Sequence, residues 1–91
     1  MINGFKCKKT ELLFNGGRVP AFSGFNRQAE KRLRILDAAN TIEVLKALPS
    51  NRFESLSGYR KGQFSIRVNQ QWRVCFRWGE GAYDVEIVDY H

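Results

Sequence analysis

Phe64-Ser65-Ile66-Arg67-Val68-Asn69-Gln70-Gln71-Trp72-Arg73-Val74-Cys75-Phe76-Arg77-Trp78 is the stretch that decides the fold. Phe64, Ile66 and Val68 alternate with Gln63, Ser65 and Arg67. Trp72, Val74, Phe76 and Trp78 then alternate with Arg73, Cys75 and Arg77. Period 2 in β-branched and aromatic residues marks half-buried strands. The pattern returns downstream, where Tyr83, Val85 and Ile87 alternate with Asp84, Glu86 and Val88. Asn69-Gln70-Gln71 and Gly79-Glu80-Gly81 are short polar connections, so these strands form sequential hairpins of an antiparallel sheet. A short strand at Phe53 to Leu56 precedes them. It is separated from them by the turn Tyr59-Arg60-Lys61, bracketed by Gly58 and Gly62.

The first half has a different period. Ile2 to Phe5 could add a short strand. Thr10 to Asn15 reads as a short helix stopped by Gly16-Gly17. Arg18 to Phe25, with Pro20 and Gly24, reads as loop. Asn26 is a candidate N-cap for a helix to about Ala39. Ala29, Leu33 and Leu36 recur at helical spacing as its buried stripe, and Arg27, Lys31, Arg32 and Arg34 decorate the other faces. A third, short helix is expected to start at Asn40 and to be ended by Pro49, with Glu43 at the N3 position of a capping box and Ile42, Leu45 and Leu48 as its apolar side. The expected architecture is α+β: N-terminal helices packed on one face of an antiparallel sheet, in a single domain over residues 1–91.

Composition narrows the function classes. The 91 residues carry a net charge of +6, with 43% hydrophobic residues, enough for one compact core. No apolar run approaches the ~20 residues of a membrane span, and the N-terminus lacks a signal-peptide apolar region. The expectation is a cytoplasmic chain with no membrane partner. Cys7 and Cys75 stand far apart, and with a single histidine there is no zinc-ligand cluster. No metal and no cofactor are expected, and a disulfide is not expected in a cytosolic chain. Residues 50–78 contain Arg52, Arg60, Lys61, Arg67, Arg73 and Arg77 against Glu54 alone. Residues 79–91 contain Glu80, Asp84, Glu86 and Asp89 with no Lys or Arg. A basic balance of this kind favours a polyanionic partner, nucleic acid before membrane surface.

The chain ends Asp89-Tyr90-His91, and His91 is its only histidine. An acid, a phenol and an imidazole serve no packing purpose where chains usually fray. Beside a basic body they suggest chemistry on RNA. Attack of a ribose 2′-hydroxyl on its neighbouring phosphate needs a base, an acid, and cations or donors for the phosphorane. Histidine can be either acid or base near neutral pH, and arginine offers a permanently charged fork to phosphate oxygens. If the apolar alternates face the helices, Arg67, Arg73 and Arg77 share the opposite, open face as a phosphate-binding surface. Arg60 and Lys61, in the nearby turn, add charge. No phosphate loop, dinucleotide fingerprint or nucleophile elbow is present.

Leu56-Ser57-Gly58-Tyr59-Arg60-Lys61-Gly62-Gln63-Phe64-Ser65-Ile66-Arg67-Val68-Asn69, Gln71-Trp72-Arg73-Val74-Cys75-Phe76 and Val88-Asp89-Tyr90-His91 together resemble the HigB toxins of the RelE-like superfamily. The resemblance covers most of residues 53–91, and the start, with Ile2, Phe5 and Leu13-Phe14, looks similar too. It implies a RelE-like toxin of a type II toxin–antitoxin system that enters the ribosomal A site and cleaves mRNA during translation, without a metal. Its implied partners are a HigA-type helix-turn-helix antitoxin and the ribosome, through rRNA and mRNA. Carried over by position, the family's catalytic groups fall on Arg73, Asp89, Tyr90 and His91. Some HigB toxins have histidine at the place of Glu54 and lysine at that of Ser57. Glu54 could replace that histidine as a base, or the terminal residues could carry the chemistry alone; Arg60 or Lys61 could supply the missing charge. Slow or context-restricted cleavage would follow. The rival expectation is a non-catalytic ribosome- or RNA-binding translation inhibitor, or a degenerate toxin acting only in an antitoxin complex.

Overall fold

The computed structural model describes residues 1–89. Three α-helices come first: α1 (Lys8–Phe14), α2 (Asn26–Ala38) and α3 (Ile42–Ala47). Strands β1 (Glu54–Ser55), β2 (Phe64–Arg67), β3 (Trp72–Trp78) and β4 (Ala82–Asp89) follow. They form an antiparallel meander in the order β1-β2-β3-β4, and the helices pack on one face of it, so the α+β expectation holds.

The core lies between these layers. Leu13 from α1, Ala29, Leu33 and Leu36 from α2, and Leu45 from α3 meet Ile66, Val74, Phe76, Val85 and Ile87 from the sheet. Most of these side chains are fully buried, and burial at roughly 25 cal/mol per Å² of apolar surface is the main stabilising term. Trp72 and Trp78 are half-buried against this core. Phe25 stacks on Trp72 with ring centroids 4.8 Å apart, and Phe22 meets the same indole edge-on at 5.9 Å. The loop before α2 thereby closes one end of the sheet.

Helix α1 stops as its glycines imply. Gly16 adopts φ +88°, Gly16 N–H donates to Leu13 O and Gly17 N–H to Leu12 O, the double bond of a Schellman ending. The helix starts differ from the sequence reading. Asn26 is the first helical residue of α2 rather than its cap; Phe25 holds the cap position, with no side-chain cap bond. Thr41, not Asn40, caps α3, its Oγ1 accepting from Val44 N–H at 3.4 Å. Glu43 is therefore one position short of a capping box, and Leu48 falls beyond the helix and is 39% exposed. Asx and hydroxyl residues compete for such positions within a residue or two, and backbone geometry decides between them.

The alternation also slips once. Arg77 pairs with Tyr83 but Cys75 pairs with Glu86, so a bulge opposite Phe76 inserts one residue into β4. Asp84 takes it up with φ +52°. Before the bulge the phase inverts: Ala82 is in the core and Tyr83, expected there, is on the other face. Ile2 to Phe5 forms no strand of its own. It runs parallel to β4 through isolated bridges at Ile2–Ala82 and Phe5–Val85, covering that edge. Ile87 N–H, further along, donates to the buried hydroxyl of Thr10 at 3.0 Å.

Phe76→Ala, on the central strand, should lower the free energy of unfolding by about 3–5 kcal/mol. Val44→Ala, on the exposed side of α3, should change it by less than about 0.5 kcal/mol. Urea denaturation followed by circular dichroism distinguishes the two.

Candidate active site

Strand register assembles the site. Arg67 pairs with Arg73 and Ser65 with Cys75 across β2–β3. Arg73 pairs with Val88 and Cys75 with Glu86 across β3–β4. Arg67, Arg73 and Arg77 thus share the face away from the helices, as period 2 implies. That face is not open, however. Main chain and side chains from the segment between α3 and β2 reach over it. Ser65 and Cys75 are fully buried, and Arg73 is only 9% exposed.

Arg73 is held from several sides. Its Nε donates to Ser65 Oγ at 2.7 Å, and Nη2 donates to the carbonyl of Arg52. The same Nη2 lies 3.3 Å from Glu54 Oε1. A guanidinium this deep costs several kcal/mol of desolvation, on the order of magnitude that such compensation must meet. Arg52 itself is left-handed, at φ +46° and ψ +48°, a conformation costing a non-glycine residue about 1 kcal/mol. Arg67, directly opposite Arg73, is half-buried and has no ion-pair partner among the described residues. Like charges placed opposite each other repel. With Arg73 paired to Glu54, Arg67 leaves positive charge at this end of the face.

Strand β4 runs to the same end. Asp89 pairs with Trp72, one residue past Val88 and out of phase with Arg73, and its Oδ2 accepts from Gln71 Nε2 at 2.9 Å. Tyr90 and His91 lie outside the described residues. Glu54, on β1, is about half exposed and pairs with Arg73, so the structure brings Glu54, Arg67, Arg73 and Asp89 to one end of the sheet.

Arg77 and the turn carrying Lys61 lie towards the other end, and the Arg60 side chain reaches in between, to Glu86 opposite Cys75. Arg77 Nε is 3.7 Å from Asp84 Oδ2. Arg60 reaches over the face from its turn, Nη1 donating to Gln63 Oε1 at 3.0 Å and lying 3.7 Å from Glu86 Oε2, which Lys6 Nζ also approaches at 3.5 Å. Lys61 is exposed. From Arg73 to Arg77 the strand rises ~13 Å at ~3.3 Å per residue. The basic set is therefore spread along the sheet, with the Arg60 guanidinium between Arg73 and Arg77, rather than gathered in one pocket. Ser65, Glu86 and Lys6 were not singled out in the sequence. Serine on an exposed-looking alternation gives no signal until register places it under an arginine.

Both cysteines are free, Cys7 half-buried and Cys75 buried. Burial first, then Glu86 and Glu54, against the opposing pull of Arg60 and Arg73, pushes the Cys75 thiol up to about 11. It stays protonated near neutral pH and is no nucleophile there. Among the described residues no three His, Cys, Asp or Glu side chains come together as a metal site. No helix among them is long and apolar enough to cross a membrane.

Residues 8–91 match the model of the HigB-like toxins, described as the RelE-like toxin HigB of type II toxin–antitoxin systems. The chain belongs to this family. It is 37% identical to "Endoribonuclease HigB" of Proteus vulgaris over the full length of both chains. It is 46% identical to "Toxin HigB-1" of Vibrio cholerae over 61 residues, which span 67% of this chain and 64% of that protein. The α+β fold expected from the residues, and the RelE-like fold that the resemblance implies, agree with this membership.

Two outcomes test the site's construction. Arg73→Ala leaves Ser65 Oγ and the Arg52 carbonyl without their donor and should cost about 2–4 kcal/mol of stability, readable by urea denaturation. In the native protein at pH 8, iodoacetamide should label Cys7 well before Cys75, with both reacting after denaturation; mass spectrometry of the peptides reads the order. Because Cys75 titrates at about 11 when folded against 9.0 ordinarily, the folded state holds its proton longer. Its contribution to stability is intact below pH ~9 and is lost as pH rises towards ~11.

Proposed function

We propose that this HigB-like toxin is a ribosome-dependent mRNA endoribonuclease that cuts messenger in the A site and so stops translation. The observation that carries the reading is the Arg67–Arg73 pair: two arginines opposed across β2–β3, flanked by Glu54, beside the strand that leads into Asp89, Tyr90 and His91. Such a pair suits an anion that can accept from both guanidinium groups, as a phosphodiester does. The full-length similarity to a protein named an endoribonuclease supports the same class.

In this reading a base takes the proton of the ribose 2′-hydroxyl, and the 2′-oxygen attacks the adjacent phosphorus. The bond from phosphorus to the 5′-oxygen breaks, and an acid protonates that leaving oxygen. A 2′,3′-cyclic phosphate and a 5′-hydroxyl end result. His91 serves as a proton-transfer group, Tyr90 positions substrate, and Arg73 with Arg67 stabilises the charge on the phosphorane. Asp89 orients the terminal residues or pairs with a cation. Glu54 is poised either to act as base or to hold Arg73 in place. Ribosomal RNA pre-organises the messenger, and positioning alone can supply several kcal/mol, which is why so few protein groups suffice. Arg60, Lys61 and Arg77 contact RNA phosphates, so affinity for ribosomes falls steeply with salt. The partner that restrains the activity is a HigA-type helix-turn-helix antitoxin.

Arg73 is already engaged within the fold, which gives a non-catalytic RNA-binding inhibitor a foothold as the second reading. The test is induction in cells of wild type and His91→Ala, both without a C-terminal tag, followed by primer extension across abundant messengers. Translation-dependent cuts that disappear in the variant establish the endonuclease. Growth arrest without cuts in either protein moves the assignment to the non-catalytic inhibitor. A Glu54→Gln variant, which keeps a hydrogen-bond acceptor for Arg73, should slow cutting by about 10²-fold or more if Glu54 is the base. An unimpaired rate removes it from the mechanism.

A further inference from the structure

We infer that Tyr59 is a stacking platform for an unpaired RNA base, held in a braced turn at the end of the sheet away from Arg73. The inference rests on the RNA-directed reading above and adds a second contact to it.

Tyr59 is 95% exposed, the most exposed large apolar side chain among the described residues. Free aromatic rings on flexible loops are common, but this turn is not loose. Arg60 N–H donates to Ser57 O at 3.2 Å, Lys61 N–H to Gly58 O at 3.1 Å, and Gln63 N–H to Arg60 O at 3.0 Å. Leu56 N–H then closes the base of the turn on Gln63 O at 2.9 Å. Gly58 and Gly62, at φ +65° and +91°, supply the two left-handed corners. The Arg77 guanidinium reaches this turn, its Nη1 standing 2.9 Å from where a Cβ on Gly62 would be.

The Arg60 side chain ties the turn to the sheet through Gln63 and Glu86, and its guanidinium carbon is 6.0 Å from the Tyr59 ring centroid. Backbone bonds thus hold the turn that carries the ring, which is unburied and has the Arg60 cation beside it at the edge of cation–π range. Tyr83, also exposed, differs: its ring lies along the Gly79 hairpin, 3.6 Å from where a Cβ on Gly79 would sit.

Charge says what the ring is for. Lys61 is exposed beside it, Arg60 stands 6.0 Å from the ring, and Arg77 reaches the Gly62 end of the same turn. Asp84 and Glu86 offset part of this, yet with Lys6 the cations exceed the acids. A fixed aromatic face amid cations is how proteins hold single-stranded RNA, stacking on bases while cations track phosphates. A protein partner would find an exposed tyrosine useful too, but an acid-lined one would be needed to match these cations. Strand β3 separates this corner from Arg73 by ~13 Å. Tyr59 would hold a base remote from the phosphate that Arg73 faces, and its role is positioning.

The test is equilibrium binding to ribosomes carrying a messenger whose 2′-hydroxyls are methylated, so that it is not cut. Wild type, Tyr59→Phe, Tyr59→Leu and Lys61→Ala are compared across salt concentrations, with thermal unfolding as the check on folding. Tyr59→Phe should bind as wild type, because the ring carries the contact. Tyr59→Leu should bind about tenfold more weakly with an unchanged salt slope. Lys61→Ala should bind more weakly and reduce that slope by about one. Equal binding by Tyr59→Leu and Tyr59→Phe, with wild type binding, overturns the platform and leaves the RNA reading intact. Loss of antitoxin affinity in Tyr59→Leu with ribosome affinity unchanged also overturns it, in favour of a protein contact. Failure of the wild type to bind overturns the ribosome reading and the platform together.

Discussion

A buried guanidinium organises the functional half of this molecule. Arg73 sits near one end of the interior strand β3, 9% exposed, where an uncompensated cation would not be tolerated. Three groups from two pieces of chain compensate it: the Ser65 hydroxyl on β2, and the Glu54 carboxylate and Arg52 carbonyl of the segment that enters and forms β1. That requirement accounts for the course of residues 51–55. Arg52 takes a left-handed conformation that turns its carbonyl towards the guanidinium, and Asn51, fully buried, anchors the preceding turn through Leu45 O and Arg32. Arg73 adds to what already places the two-residue strand β1, namely the stacking of Phe53 on Phe64, the burial of Leu56 and the pairing with β2.

The sheet has edges to protect, and the chain does so economically. On the β4 side, residues 1–10 satisfy the outward backbone groups: Asn3 N–H donates to Ala82 O, Lys6 N–H to Val85 O, and Thr10 Oγ1 accepts from Ile87. On the other side, β1 is too short to recruit a further strand. Both devices leave the arginine face as the surface where ligand chemistry is concentrated. The helices cannot cover it, because Leu13, Leu33 and Leu36 commit them to the opposite side.

Charge on that face is arranged in two stations. One pairs Arg73 with Glu54 beside Arg67 and the end of β4; the other gathers Arg60, Lys61 and Arg77 around Glu86 and Asp84. An extended polyanion meets both, whereas a compact anion meets one. This spacing agrees with a nucleic acid strand as ligand better than with a free phosphate.

Much of this was legible in the residues. The period-2 runs of Phe64–Val68 and Trp72–Trp78 dictate strands whatever their surroundings, since only a pleated sheet buries alternate side chains. The Ala29, Leu33, Leu36 stripe likewise dictates a helix with one buried face, and Gly16-Gly17 its predecessor's end. The common face of Arg67, Arg73 and Arg77 follows from parity alone. What parity cannot tell is what lies above a face. Whether Arg73 is open or covered depends on residues twenty positions away, and whether Ser65 is solvated or a buried acceptor depends on register. The bulge at Asp84 escaped for a related reason: one inserted residue inverts the phase of Tyr83 and Ala82, and only pairing with β3 shows where the insertion falls. Local sequence determined which elements form and which faces are apolar, because those are properties of spacing along one chain. Tertiary structure decided which charges are buried, paired or exposed, because these depend on segments distant in sequence meeting in space.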